Sequence, residues 1–199
     1  MKQGSSINTR FKGSTNRRIR EVKSWVFVLA IPLTIILLLN LFICKVVFVS
    51  GNSMYPTLKN RDILLAWQFG YTPQVGDIIL IKTSENKFIS DDFIIKRIVA
   101  VSGQTVEIDY EQNVVSIDGD CFDEPYINRE GDFLLDITGE GNFSYKVPDG
   151  YVFVLGDNRN DSLDSRNRYL GMVSEEDIVG SIISAFYSDE KANHGENTV

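Results

Sequence analysis

The sequence predicts a mainly β protein with one N-terminal helix. From Val46 onward, apolar runs of strand length alternate with turn residues, and no long stretch has helical periodicity. Ahead of them lies one membrane-length run, Ser24–Cys44, with 21 consecutive uncharged residues between Lys23 and Lys45.

As a helix that run spans roughly 31 Å, close to the hydrocarbon thickness of a bilayer. Pro32 and Asn40 are imperfections that transmembrane helices tolerate. A cleaved signal peptide is the competing reading, but its apolar core would be only about 7–15 residues long. No small-x-small cleavage site follows in Lys45-Val46-Val47-Phe48-Val49. A retained transmembrane helix over 24–45 is therefore expected, with the lipid bilayer as a partner.

Charge sets its direction. Of the 20 Lys and Arg, seven lie in residues 1–23 beside a single acid, Glu21; the other 13 face 26 Asp and Glu, a net of −13. A basic arm can bind nucleic acid, but one that abuts an apolar span orients it in the membrane, so no nucleic-acid partner is expected. The expected organisation is a basic cytoplasmic arm over 1–23, the transmembrane helix over 24–45, an extracytoplasmic β-rich domain over 46–187 and a polar tail over 188–199. Residues 1–20 and 188–199 read as disordered.

The strands follow in order. Val46–Val49 is a short β-type run. Asp62–Trp67 and Asp77–Ile81 are apolar runs bounded by turn residues such as Pro73 and Gly76. Phe93–Val101 ends at Gly103. Thr105–Asp109 and Val115–Asp118 alternate with period two, with Gln112-Asn113 as the hairpin turn between them. Asp118-Gly119-Asp120 is a further turn. Tyr151–Leu155 reads as a buried strand ending at Gly156-Asp157-Asn158, and Ile178–Ile183 as the last strand.

The two cysteines, Cys44 and Cys121, make no disulfide framework, and neither neighbours a histidine, so no metal or other cofactor is expected. The single histidine, His194, lies in the polar tail. A hydrolytic serine usually needs a base, and here histidine is an implausible one.

Three segments carry candidate chemistry. Ser53 follows Gly51-Asn52 and precedes Pro56-Thr57, so a tight turn can expose its Oγ and aim its N–H at a developing oxyanion. An ordinary polar turn between strands has the same composition. Lys96 lies inside the apolar run Phe93-Ile94-Ile95-Lys96-Arg97-Ile98-Val99, where a lysine is uncommon unless partnered. Its ordinary pKa, roughly 10.4, makes it a poor base. Desolvation by Ile94, Ile95 and Ile98 favours the neutral amine, and lowering the pKa by about 3 corresponds to roughly 4 kcal/mol. Snorkelling from an edge strand is the alternative. Arg97 is expected on the opposite strand face. The third segment, Gly156–Arg166, follows a buried strand and alternates Asp with Arg. It reads either as a solvated loop or as a salt-bridge frame from which a serine fixes the lysine amine.

Together these segments resemble the type I signal peptidases, membrane-bound serine proteases that remove signal peptides from exported proteins. The family pattern is Gly-x-Ser-Met-x-Pro-Thr-Leu after an anchor, then Gly-Asp-Ile, then Lys-Arg in an apolar strand, then Gly-Asp-Asn-Arg-x-x-Ser-x-Asp-Ser-Arg. The chain supplies Gly51–Leu58, Gly76–Ile78, Lys96-Arg97 and Gly156–Arg166 in that order. One anchor with a small outer domain is similar to the Gram-positive branch.

The resemblance implies an antiparallel β-sheet catalytic domain at the plasma membrane, with its active site facing the membrane surface. It implies Ser53 as nucleophile, Lys96 as general base, Ser162 as the group orienting the amine, and Asp157, Arg159, Asp164 and Arg166 as the surrounding frame. Substrates would be signal-peptide-bearing preproteins cut after Ala-x-Ala-type sequences, with Val49, Met54 and Ile95 lining shallow pockets. The secretion translocon is the implied neighbour. Two departures stand out. Gly51 replaces a serine that assists the oxyanion hole in some members, which leaves more to the Ser53 N–H. Gln104 replaces an aspartate after Gly103. The competing classes are an inactive relative that binds or assembles surface proteins, which would be expected to lose Ser53 or Lys96, and a self-cleaving repressor protease, which would carry a DNA-binding domain and not an anchor.

Overall fold

A computed structural model describes residues 25–38, 43–83, 89–127 and 141–186. The chain divides into two parts, Met1–Ile43 and Cys44–Val199. In the first, residues 25–38 form a helix with exposed side chains. No helix among the described residues is long and apolar enough to cross a membrane. Of the helix expected over 24–45, residues 24 and 39–42 lie outside the described residues, as do the basic arm and the polar tail with His194. Cys44 and Lys45 are not helical. They open the first strand, because Trp67 and Ala66 stand opposite them as ladder partners.

The second part is built of antiparallel strands: β1 (Cys44–Phe48), β2 (Ile63–Trp67), β3 (Ile78–Lys82), β4 (Phe93–Val101), β5 (Thr105–Asp109), β6 (Val114–Ile117), β7 (Asp120–Cys121), β8 (Phe143–Lys146), β9 (Tyr151–Leu155), β10 (Val173–Ser174) and β11 (Ile178–Phe186). They form a seven-stranded sheet in the order β1-β2-β11-β3-β4-β9-β10 and a four-stranded sheet in the order β7-β6-β5-β8. The mainly β, antiparallel expectation holds.

The strand sequences follow from what covers them. In β9, Val152 and Val154 enter one apolar cluster with Ile79, Ile81 and Ile98, while Phe153 and Leu155 enter another with Val99, Val106 and Ile108. Both faces are buried, so β9 reads as a continuous apolar run. In β5 only Val106 and Ile108 are buried, so it alternates. The second cluster joins the two sheets, since its residues come from β4, β9, β5 and β6. Asn113 (φ 56°) forms the turn between β5 and β6 in the left-handed region that a short hairpin loop requires.

The short strands β7, β8 and β10 were not foreseen. Two to four residues are too few to display a period, and the partners of β8 and β10, β5 and β9, lie well apart from them in sequence. For the site, the central fact is the placement of β4. It lies between β3 and β9, so Lys96 is opposite Ile79, and Arg97 is opposite both Ile78 and Leu155.

Candidate active site

Ser53 sits on a turn just beyond β1. The chain reverses at Gly51, whose φ of +94° is open to glycine and strained for other residues. Tyr55 N–H donates to the Asn52 carbonyl at 3.0 Å, and Leu58 N–H to the Met54 carbonyl at 2.9 Å. Met54 and Leu58 are buried in a third apolar cluster with Val49 and Leu64, against which Ile95 packs. Apolar burial on one side of the turn therefore holds Ser53, which stays half-exposed, on the other.

Lys96 is 3% exposed. Its Nζ donates to Ser53 Oγ at 2.8 Å and to the Ile95 carbonyl at 2.9 Å. Both partners are neutral. Burial lowers the amine's pKa from 10.5 to about 8, against the opposing charges of Asp164, Asp157 and Asp91. Lys96 does not snorkel to water.

The loop after β9 closes the site through ion pairs. Asp157 receives both Arg97 Nε at 2.8 Å and Arg97 Nη2 at 2.6 Å. Burial alone would lower the Arg97 pKa, but its hydrogen bonds and charge attraction to Asp157 raise it. Arg166 donates to Asp164 from Nε at 2.8 Å and Nη2 at 2.9 Å, and also to the Arg159 carbonyl. Asp164 accepts the Gly156 N–H at 3.1 Å. Arg159 Nη1 donates to Glu124 Oε2 at 2.7 Å, and its Nη2 to Glu124 Oε1.

Of the four residues proposed to frame the site, Asp157, Arg159, Asp164 and Arg166, only Asp164 and Arg166 pair within the loop. Asp157 reaches across to β4 and Arg159 to the segment before Tyr126. Arg97 and Glu124 are the members that sequence reasoning missed. The Lys-Arg doublet offered a signal for Arg97; Glu124 had none. Tyr126 links the two, with its ring 3.9 Å under the Arg97 guanidinium and its hydroxyl donating to Glu124 at 3.0 Å.

Ser162 is buried, and its Oγ has no hydrogen-bond partner among the described residues. The second hydrogen bond of the amine goes to the Ile95 carbonyl, on the adjacent residue of the same strand, and not to Ser162. Ser162 nonetheless lies close by. A Cβ on Gly156 would fall 2.2 Å from Ser162 Oγ and 2.5 Å from the Ser53 carbonyl, so only glycine permits this approach.

A cleft of about 410 Å³ opens on Ser53 and Lys96. Val49, Met54 and Ile95 all line it, with Phe93 and Leu163 among the other apolar walls. A hydroxyl against a buried amine of lowered pKa, opening on a cleft with both polar and apolar walls, can supply a nucleophile.

Comparison with known proteins gives a consistent pattern. Residues 22–187 match the family described as signal peptidase, peptidase S26. The chain is similar to signal peptidase IB of Staphylococcus aureus (strain COL), 29% identical over 192 residues that cover 89% of this chain and 96% of that protein. It is 34% identical over 173 residues to the probable signal peptidase I-1 of Synechocystis sp., covering 83% of each. Among solved structures, a signal peptidase I from Enterococcus faecalis V583 is 28% identical with a TM-score of 0.43, covering 56% of this chain and 97% of that one.

Two stability predictions follow from the buried charges. The Lys96 amine titrates at 10.5 when unfolded and at about 8 when folded. Between those values the unfolded chain holds more protons, so stability rises with pH through that window. Below it, the fold bears the whole cost of charging the buried amine, roughly 3 kcal/mol. Lys96→Met should raise stability at pH 7 by up to about 3 kcal/mol and flatten its rise from pH 8 upward; urea unfolding at several pH values measures both. Lower stability of Lys96→Met at pH 7 would contradict the burial account. Glu124→Ala strands the Arg159 guanidinium, whose side chain is 1% exposed, and should lower stability by about 3–5 kcal/mol in the same assay.

Proposed function

We infer, because the chain belongs to the signal peptidase family (peptidase S26), that it is an endopeptidase that removes signal peptides from preproteins. The observation that supports a mechanism is the 2.8 Å contact between Lys96 Nζ and Ser53 Oγ, in a site whose burial brings the amine to about 8. On our reading Ser53 is the nucleophile and Lys96 the general base.

With the amine neutral, the Ser53 hydroxyl donates to Nζ. Oγ attacks the carbonyl carbon of the scissile bond, its proton passes to Lys96, and the carbonyl electron pair moves onto oxygen. The Ser53 N–H receives that oxyanion; Gly51 offers no hydroxyl to share the work. The Lys96 ammonium then protonates the departing amine of the mature protein, and the C–N bond breaks. Water, deprotonated by Lys96, releases the signal peptide from Ser53. Ser162 is our candidate for orienting the amine, since its hydroxyl is buried nearby with a hydrogen bond still to give. The Asp157, Arg159, Asp164 and Arg166 frame holds the loop. Val49, Met54 and Ile95 receive the small side chains of an Ala-x-Ala-type sequence.

We place the uncharged run ahead of β1, Ser24–Ile43, in the plasma membrane as a single anchor, with the basic arm in the cytoplasm and the catalytic domain outside, beside the translocon that delivers preproteins. Protease added to intact protoplasts should then digest residues beyond about 50 and spare the arm. A fully protected C-terminal domain would reverse this orientation.

The chemical test uses detergent-solubilised protein, a preprotein, and mass spectrometry of the cut. Ser53→Ala removes the nucleophile. Lys96→Arg keeps the charge but cannot accept a proton. Both should be nearly inactive while folded, and Ser162→Ala should lose less. Activity should rise with pH through a midpoint near 8, since only the neutral amine is a base. Wild-type cleavage by folded Lys96→Arg would rule Lys96 out as the base.

A further inference from the structure

Gly51 leaves the Ser53 N–H as the chain's oxyanion donor, and an N–H has no rotamer with which to aim itself. Its direction is that of the Asn52–Ser53 peptide plane, in which the Asn52 carbonyl points the opposite way. Asn158 grips that plane. Its side-chain Nδ2 donates to the Asn52 carbonyl at 3.1 Å, across 106 residues of sequence. Its own backbone N–H donates to the Ser53 carbonyl at 3.0 Å. One residue therefore holds the peptide planes on both sides of the Ser53 Cα.

The grip is built in. Gly156 lets the Ser53 carbonyl come this close, and the Arg97–Asp157 pair fixes the residue immediately before Asn158 to β4. Tyr55 N–H shares the Asn52 carbonyl, but it lies within the same turn and moves with it. Among the described residues, Asn158 ties the backbone of the turn to the loop after β9. Donation to the Asn52 carbonyl also polarises the peptide and strengthens its N–H as a donor. Among the described residues, Ser53 N–H is not one of the donors that brace the segment.

We propose that Asn158 is a positioning residue for transition-state stabilisation: its side-chain amide locks the Asn52–Ser53 peptide so that the Ser53 N–H faces the developing oxyanion. The inference rests on Ser53 being the nucleophile. The Lys96 amine hydrogen-bonds to Ser53 and to the Ile95 carbonyl and not to Asn158, so the base should be untouched when the Asn158 amide is truncated.

The test compares full-length wild type, Asn158→Ala and Asn158→Asp in detergent. Aspartate keeps the size and turn preference of asparagine but cannot donate at neutral pH, so it decides the question if the alanine variant does not fold. Three readouts are taken: kcat and KM on a signal-sequence peptide, the pH–rate midpoint, and affinity for a peptide aldehyde and its matching alcohol. Ser53 Oγ adds to the aldehyde carbon, its proton goes to Lys96, and the carbonyl electron pair goes to the oxygen in the oxyanion position. The alcohol forms no such adduct. A donor that is kept but misaimed should lower kcat about 10- to 100-fold with KM little changed; the pH midpoint should hold in Asn158→Ala and move upward in Asn158→Asp, whose added carboxylate favours the ammonium. Aldehyde affinity should fall by a similar factor and alcohol affinity should hold. Unchanged kcat, or equal loss of aldehyde and alcohol binding, overturns the proposal. Wild-type protein that binds aldehyde no better than alcohol would instead overturn Ser53 as the nucleophile, and this inference with it.

Discussion

The site depends on burying a lysine without giving it a carboxylate of its own. Three buried acids surround the loop after β9, and each is committed to an arginine: Asp157 to Arg97, Asp164 to Arg166, Glu124 to Arg159. The Lys96 amine is left with a serine hydroxyl and a peptide carbonyl. A direct carboxylate partner would favour its ammonium form and undo the effect of burial. With the charges matched in this way, desolvation prevails and the amine comes down to about 8. Guanidinium suits the task because it stays charged and binds a carboxylate through two parallel hydrogen bonds.

The fold makes this matching possible. Lys96 and Arg97 are neighbours on β4, and alternation along the strand sends one to Ser53 and the other to Asp157. β4 lies beside β9, so the loop leaving β9 arrives where Arg97 can receive it. Gly156 then admits the Ser53 turn at a separation no other residue would allow. The turn itself is held from behind by Met54 and Leu58 in the apolar cluster. Apolar packing and ionic matching act on opposite sides of the same serine.

This arrangement sets stability against function. The buried amine destabilises the fold at neutral pH, and the ion pairs that neutralise the loop are themselves costly to desolvate. Native proteins place such strain where chemistry needs it. The cleft above Ser53 mixes apolar walls (Val49, Met54, Phe93, Ile95 and Leu163) with polar ones (Asn52, Asp91 and Asp161).

Much of this was legible in the chain before any coordinates. Hydrophobic period and turn residues located β4 and β9 to the residue, because each is long enough to show its pattern. Ser53 and Lys96 stood out because a serine behind a glycine turn and a lysine inside an apolar strand both need explaining. What the chain could not reveal is who pairs with whom. Alternating Asp and Arg suggested a frame closed within the loop, yet Asp157 and Arg159 leave it for Arg97 and Glu124, 60 and 35 residues away. The clamp from Asn158 to the Ser53 turn, the hydrogen bond from Lys96 to the Ile95 carbonyl, and the short strands β7, β8 and β10 were equally hidden. Periodicity and turn chemistry are local and are written into consecutive residues. The Arg97–Asp157 and Arg159–Glu124 pairs, the Asn158 clamp and the pairing of β8 arise only when the fold brings distant segments together, and no short stretch of sequence records that.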